Sequence, residues 1–199
     1  MYMLILLTKV VIYIMEENFT QDNARSRLLF SGLKELERHG VSDFSLRRVA
    51  QDAGVSCAAP YRHFKDKDEL ISAVIEFVVE GWTLLSHQIG EIFREDAKAL
   101  VIELAVAGLR FWIANGNFRT VIMVSSTLSA GERGPMRNFD RPIAEAVARY
   151  AEEKGIADHE ELTFKLLSML YGAVILVDGG YESAEKAAAG LRSILHAEL

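Results

Sequence analysis

Apolar positions recur along this chain at intervals of three and four residues, and nowhere do they keep the two-residue alternation of a half-buried strand. Leu29, Leu33 and Leu36 share one side of a predicted helix over 23–39, which stops at Gly40, a residue suited to a left-handed helix end. From Ser45 onward, Leu46, Val49, Ala50 and Ala53 fall at i, i+3, i+4 and i+7, and Gly54 closes a second helix of about two turns. Ser56 is placed to cap a third short helix that ends near Phe64. Asp66 and Glu69 then have capping-box spacing and start a fourth, unbroken to about residue 93. Further helices are predicted over 96–114, 118–128, 136–154, 159–178 and 183–198, interrupted most clearly by SAGERGP at 129–135 and DGGYES at 178–183. The fold expected is all-α: an N-terminal three-helix helix-turn-helix head over 16–70, then a helical bundle over 71–199.

The 199 residues are 50% apolar and 25% charged, enough for a real core and incompatible with global disorder. The formal charge of −6 argues against a uniformly basic coat, but it is unevenly distributed. Residues 45–67 carry five basic side chains (Arg47, Arg48, Arg62, Lys65, Lys67) against Asp52 and Asp66, whereas residues 71–199 carry 12 basic against 18 acidic. A small basic element thus precedes an acidic body. The single cysteine, Cys57, forms no internal disulfide, and without a Cys/His cluster no structural zinc site is expected. A reducing cytoplasm fits this usage.

Residues 1–15, MYMLILLTKVVIYIM, are apolar apart from Thr8 and Lys9. They lack the basic start and small-residue cleavage site of a secretory signal, and they fall short of the ~20 residues that span a bilayer. Either translation naturally begins at Met15, or the segment is an extra helix or membrane-surface anchor; no membrane span is expected. No phosphate-binding loop, HExxH, GxSxG or GxGxxG is present, so no enzyme and no cofactor are expected. Glu132 and Asp140 are carboxylates without a visible partner, and His87 and His159 are isolated.

Two short helices around Gly54-Val55-Ser56 cannot bury their own apolar face, so the first helix and the start of the fourth must complete a core with them. Ala50, four residues before Gly54, is small enough to let the next helix approach, and glycine relieves the turn. The third helix is then free to enter a major groove. Its exposed positions are expected to carry Ser56, Cys57, Ala58, Ala59, Tyr61 and Arg62, with His63 and Lys67 just beyond. Hydroxyl, imidazole and ammonium groups suit phosphate oxygens, and arginine can also bind guanine bidentately. Cys57 near a helix start admits a redox role, though a small neutral side chain suffices to explain it.

The stretch FSLRRVAQDAGVSCAAPYRHFKDKDELISAVIE, residues 44–76, resembles the tetracycline-repressor (TetR) family of bacterial transcription regulators. The close match covers about a quarter of the chain. Leu170-Tyr171-Gly172 inside a late apolar helix is similar to a family branch that carries Trp-His-Gly there, with leucine and tyrosine as departures. The resemblance implies that Ser45 caps the second helix against phosphate and that Arg47 contacts DNA. It also implies that Tyr61 and His63 clamp the backbone together with Lys67, and that Cys57, Ala58, Ala59 and Arg62 set sequence preference. Pro60 departs from the commoner branched residue; in the first turn after Ser56 it should stiffen the helix without breaking it. Two alanines and a proline offer few hydrogen bonds to bases, which gives thymine methyls and DNA shape unusual weight.

In the body, most aromatic residues must simply be core. Trp82, Trp112, Met123, Phe139 and Tyr171 are the candidates for lining a small-molecule cavity of the kind a TetR-like body encloses. LTFKLLSMLYGAVILV at 162–177 is apolar on nearly every side and must be covered on more than one. Its Leu162, Met169 and Leu176, with Ala184, Ala187, Ala188, Leu191 and Leu195 of the last helix, are the expected homodimer seam, a four-helix bundle between two subunits. Such a dimer would set two recognition helices about 34 Å apart. The expected function is that of a ligand-responsive regulator, a repressor that binds a palindromic double-stranded operator and is released by a hydrophobic or amphipathic effector. The alternative is an all-helical carrier or sensor without specific DNA binding.

Overall fold

The computed structural model describes residues 24–116 and 135–199. The 1–15 extension, the helix expected over 118–128, Met123, Glu132 and most of the SAGERGP loop lie outside the described residues. Among the described residues there are eight helices and no strand: α1 (Ala24–His39), α2 (Leu46–Asp52), α3 (Pro60–His63), α4 (Lys67–Ile92), α5 (Ala97–Ala114), α6 (Pro135–Lys154), α7 (His159–Asp178) and α8 (Ala184–Glu198). They form two compact units, one containing 24–81 and the other 82–116 with 136–199, so the division falls inside α4.

In the first unit, α1 buries Leu28, Leu29, Leu33 and Leu36, which meet Val49 and Ala50 of α2, Phe44, Phe64 and Leu70 in one small core. Gly32 lies where α1 and α4 approach closely, since a Cβ there would stand 2.9 Å from Val74 Cγ2. The start of α4 is set by side chains, as expected: Asp66 Oδ1 accepts the Glu69 amide at 2.9 Å, and Glu69 accepts the Lys65 amide.

The third helix differs from the expectation. It has a single turn, Pro60–His63, with Pro60 at its first position and no side-chain cap, so Ser56 does not cap it. Proline has no N–H to give the Ser56 carbonyl, which instead accepts from the Ala59 amide at 2.8 Å in a tighter turn. Residues 56–59 are therefore a turn that leads into the helix.

The second unit is built on α5, which buries Leu100, Val101, Ile102, Leu104, Ala105, Val106 and Leu109 and packs against α7 and α8. Asp96, Asp158 and Ser183 cap α5, α7 and α8. Arg192 of α8 grips Glu103 of α5 with both guanidinium nitrogens, Nη2 to Oε2 at 2.9 Å. Ala187, Ala188, Leu191 and Leu195 face into this unit at 9% exposure or less. The sequence-based assignment of these four to a seam between subunits is therefore corrected: they complete the chain's own core. Among the described residues one helix, α4, is long and apolar enough to cross a membrane, but 61% of that window is buried within the protein.

Candidate nucleic-acid interface and ligand site

The turn between α2 and α3 is fixed from its inner side. Gly54 adopts φ +64°, a backbone conformation that strains any side-chain-bearing residue, and the Val55 amide reaches back to the Ala50 carbonyl at 3.0 Å. The entry to α2 is held by a buried carboxylate. Glu35 of α1 accepts from the Ser45 amide at 3.0 Å and from Arg48 Nε at 2.7 Å, while Arg48 also pairs with Asp43 at 3.2 Å. His39 adds contacts to Glu35 and Asp43 at 3.8 and 3.6 Å. The paired carboxylates hold the Arg48 guanidinium still more firmly in its charged form, with the Glu35 hydrogen bond as the largest cause. Of two neighbouring arginines, then, Arg48 anchors the corner and Arg47 is exposed.

Outward from this corner the structure places Ser56, Cys57, Ala58, Tyr61, Arg62 and His63 on the surface, with Tyr61 63% exposed. Ala59 is the correction: at 8% exposure it packs into the head's core, because the tight turn before Pro60 rotates it inward. Ser45 Oγ accepts the Arg48 amide at 3.4 Å, which leaves its hydroxyl proton available for an external acceptor. Lys67 Nζ donates one hydrogen bond to the Val41 carbonyl at 2.8 Å and keeps two N–H donors. Sequence reasoning missed Glu35 and Arg48. The signal was legible in part, since Glu35 stands seven residues after buried Leu28 on the apolar side of α1.

The second unit gathers Trp82, Trp112, Phe139 and Tyr171 into one aromatic cluster, to which Phe111 belongs as well. Trp82 stacks on Phe139 with centroids 4.5 Å apart, and Phe139 meets Trp112 at 4.4 Å and Phe111 at 5.5 Å. The Trp82 indole donates to the Phe139 carbonyl at 2.8 Å. That carbonyl lies three residues before Pro142, a proline inside α6 that removes one helical donor. Trp112 reaches Tyr171 at 6.1 Å between centroids, and the Tyr171 hydroxyl donates to Asp140 Oδ1 at 2.5 Å. Asp140 thus has a partner after all, 31 residues away in sequence. Burial pushes its carboxyl up to about 6, against the opposing effect of the Tyr171 hydrogen bond. Burial and the adjacent carboxylate likewise hold the Tyr171 phenol in its protonated form. His87 and His159 are exposed, and among the described residues no cluster of His, Cys, Asp and Glu could hold a metal.

On α7 the outward apolar side chains are Phe164 (72% exposed), Ile175 (66%) and Leu176 (50%), with Ile194 exposed on α8. Leu162, Met169 and Ala184 are half-buried in their own unit.

A helix-turn-helix head with a clamped corner, followed in the chain by an all-helical unit with an aromatic interior, defines the class of two-unit helix-turn-helix proteins. Residues 28–74 match the family described as bacterial regulatory proteins, tetR family. Over 68 residues it is 38% identical to the HTH-type transcriptional regulator AcrR of Shigella flexneri, covering 34% of this chain and 28% of AcrR. Over 138 residues it is 28% identical to an uncharacterised HTH-type transcriptional regulator of Haemophilus influenzae, covering 67% of this chain and 66% of that one. The likeness of fold reaches further. A Rhodococcus sp. RHA1 protein of unknown function superposes with a TM-score of 0.75 at 22% identity, over 90% of this chain and 96% of that one. The Bacillus subtilis regulator FadR, solved in complex with stearoyl-CoA, gives 0.62 at 12% identity over 85% and 96%.

Proposed function

We propose that this chain is a ligand-responsive DNA-binding transcriptional regulator, a cytoplasmic repressor that acts as a homodimer on a palindromic operator. The observation that carries the reading is the α2–α3 corner. Glu35, Arg48 and Gly54 fix it from within, and it turns Arg47, Tyr61, Arg62 and His63 toward solvent. A short rigid element with cationic and hydroxyl groups on one side suits a duplex groove and its flanking phosphates. With α3 reduced to one turn, Cys57 and Ala58 come from the preceding turn and meet the bases through apolar contact and DNA shape. Ser45 and Lys67 each retain donors for phosphate.

The exposed apolar surface of α7 and α8, centred on Phe164, Ile175, Leu176 and Ile194, supports pairing with a second copy. The seam lies on the outer faces of the two helices expected from sequence. The effector is read as a small molecule with an apolar body, held by the aromatic cluster of Trp82, Trp112, Phe139 and Tyr171, with Met123 as a further candidate. Its binding shifts a two-state equilibrium away from the DNA-competent form, a coupling of ~1–3 kcal/mol in such systems.

The test is fluorescence anisotropy of labelled DNA from upstream of the protein's own gene, beside a scrambled duplex, at two salt concentrations. Nanomolar binding to the first, at least about a thousandfold tighter than to the second and weakening with salt, is expected. Equal weak binding to both duplexes would favour the carrier reading and remove this one.

A further inference from the structure

The turn that leads into α3 continues in the same helical sense. The Ala59 amide donates to the Ser56 carbonyl at 2.8 Å, the Arg62 amide donates to the Ala59 carbonyl at 3.1 Å, and Ala59 has φ −63° and ψ −41°. Ala59, Pro60 and Phe64 point inward and are buried. Ala58, Tyr61 and Arg62, spaced by three and four residues, therefore share the opposite side, and all three are exposed. They differ in what they can recognise. The Tyr61 hydroxyl and the Arg62 guanidinium suit phosphate oxygens, and the guanidinium also suits the O6 and N7 of guanine. Ala58 ends in a methyl that neither donates nor accepts a hydrogen bond, and its shortness lets the backbone of the turn come close to whatever this side meets. Among the groups that base pairs present in the major groove, the apolar one is the C5-methyl of a pyrimidine.

We infer that Ala58 is a specificity-determining residue and that the group it recognises is a pyrimidine C5-methyl, carried by thymine or by 5-methylcytosine. This rests on the reading of the α2–α3 corner as a DNA-binding element, and it names the chemistry which that element reads. Contact between the two methyls removes both from water. The gain is that of burying about one CH2, roughly fourfold in affinity for each half-site. Arg62, one turn further on, supplies the hydrogen bonds to a nearby guanine. Readout by DNA shape works differently, since it acts through base pairs that the protein does not touch and needs no methyl on this side of the turn.

Selection from a randomised duplex library by the full chain gives the half-site, and each thymine in it is then replaced by deoxyuridine, which removes the methyl and keeps the pairing edge. At one thymine per half-site the replacement is expected to weaken binding about fourfold, and about fifteenfold when made in both half-sites. At that position cytosine and 5-methylcytosine, each paired with guanine, are expected to differ by the same factor; no difference there would confine the recognised methyl to thymine. Ala58→Gly, with its Tm checked, should bind the thymine and deoxyuridine duplexes within about twofold of each other. Arg62→Ala should bind both more weakly yet keep the full methyl factor, which guards against a first variant that has merely lost its structure. Deoxyuridine tolerated at every position, or a methyl factor that survives Ala58→Gly, would overturn the inference. A library that yields no common sequence overturns the DNA-binding reading itself, whereas a clear half-site indifferent to methyls overturns this inference alone.

Discussion

Replacing Asp140 by asparagine should stabilise the protein at neutral and alkaline pH, and the gain should disappear in acid. The carboxyl titrates at about 6 in the folded chain against an ordinary value of 3.8, with burial as the largest cause. Folding therefore raises its proton affinity. Between those two values the folded state binds a proton that the unfolded state does not, so stability falls as pH rises through this window, and the penalty is complete above it. At 1.36 kcal/mol per unit, the gap corresponds to an upper figure of about 3 kcal/mol. Asparagine carries no charge and still accepts from the Tyr171 hydroxyl, but its NH2 group needs partners and returns roughly 1–2 kcal/mol of the gain. The net expectation at pH 8 is about 1–2 kcal/mol, or a rise in Tm of ~3–6 °C for a chain of this length. Thermal unfolding of wild type and variant, followed by circular dichroism from pH 4 to pH 8, measures the difference directly. The variant's advantage should shrink steadily below pH 6 and vanish or reverse near pH 4. An equal loss of stability at both ends of the range would show that Asp140 is not a desolvated charge, and the reasoning would fall with it.

Glu35→Ala leaves the Arg48 guanidinium and the Ser45 amide without their shared acceptor, and with Arg48 half-exposed the cost should be about 1–3 kcal/mol, read as a lower Tm together with weaker operator binding. Tyr61→Ala, at a 63% exposed position, should leave Tm within a degree or two yet weaken specific and scrambled DNA alike, as a phosphate contact requires; unchanged affinity would remove that role. Wild type is expected to sediment as a dimer in analytical ultracentrifugation, and Phe164→Asp combined with Ile175→Asp, at two exposed positions, should give a folded monomer. Leu191→Asp, on the buried side of α8, should unfold the chain instead, and a folded monomer from this change would restore the seam first read from the sequence.

Local rules were enough for the helices and the corner. Their information sits within a few residues: Gly40 and Gly54 at positive φ end α1 and the α2 turn, Ser45, Asp66 and Ser183 stand at helix starts, and leucine spacing marks the buried side of α1. The shortening of α3 was also written locally, in the missing N–H of Pro60, but the consequence for Ala59 depends on which carbonyl the turn uses instead. Aromatic periodicity nominated Trp82, Trp112, Phe139 and Tyr171, and the structure brings these four together. Three things belonged to tertiary structure alone. The stripe of Ala187, Ala188, Leu191 and Leu195 has the same spacing whether a second subunit or the chain's own α5 and α7 covers it, and only packing chose the latter. Glu35 stands at a spacing that marks the buried side of α1, but its partners Ser45 and Arg48 come to it only through the fold. Asp140 acquired its partner from a helix 31 residues away. Periodicity states that a side chain is buried; what buries it, and whether a charge there finds a partner, is settled by contacts between distant segments that spacing does not encode.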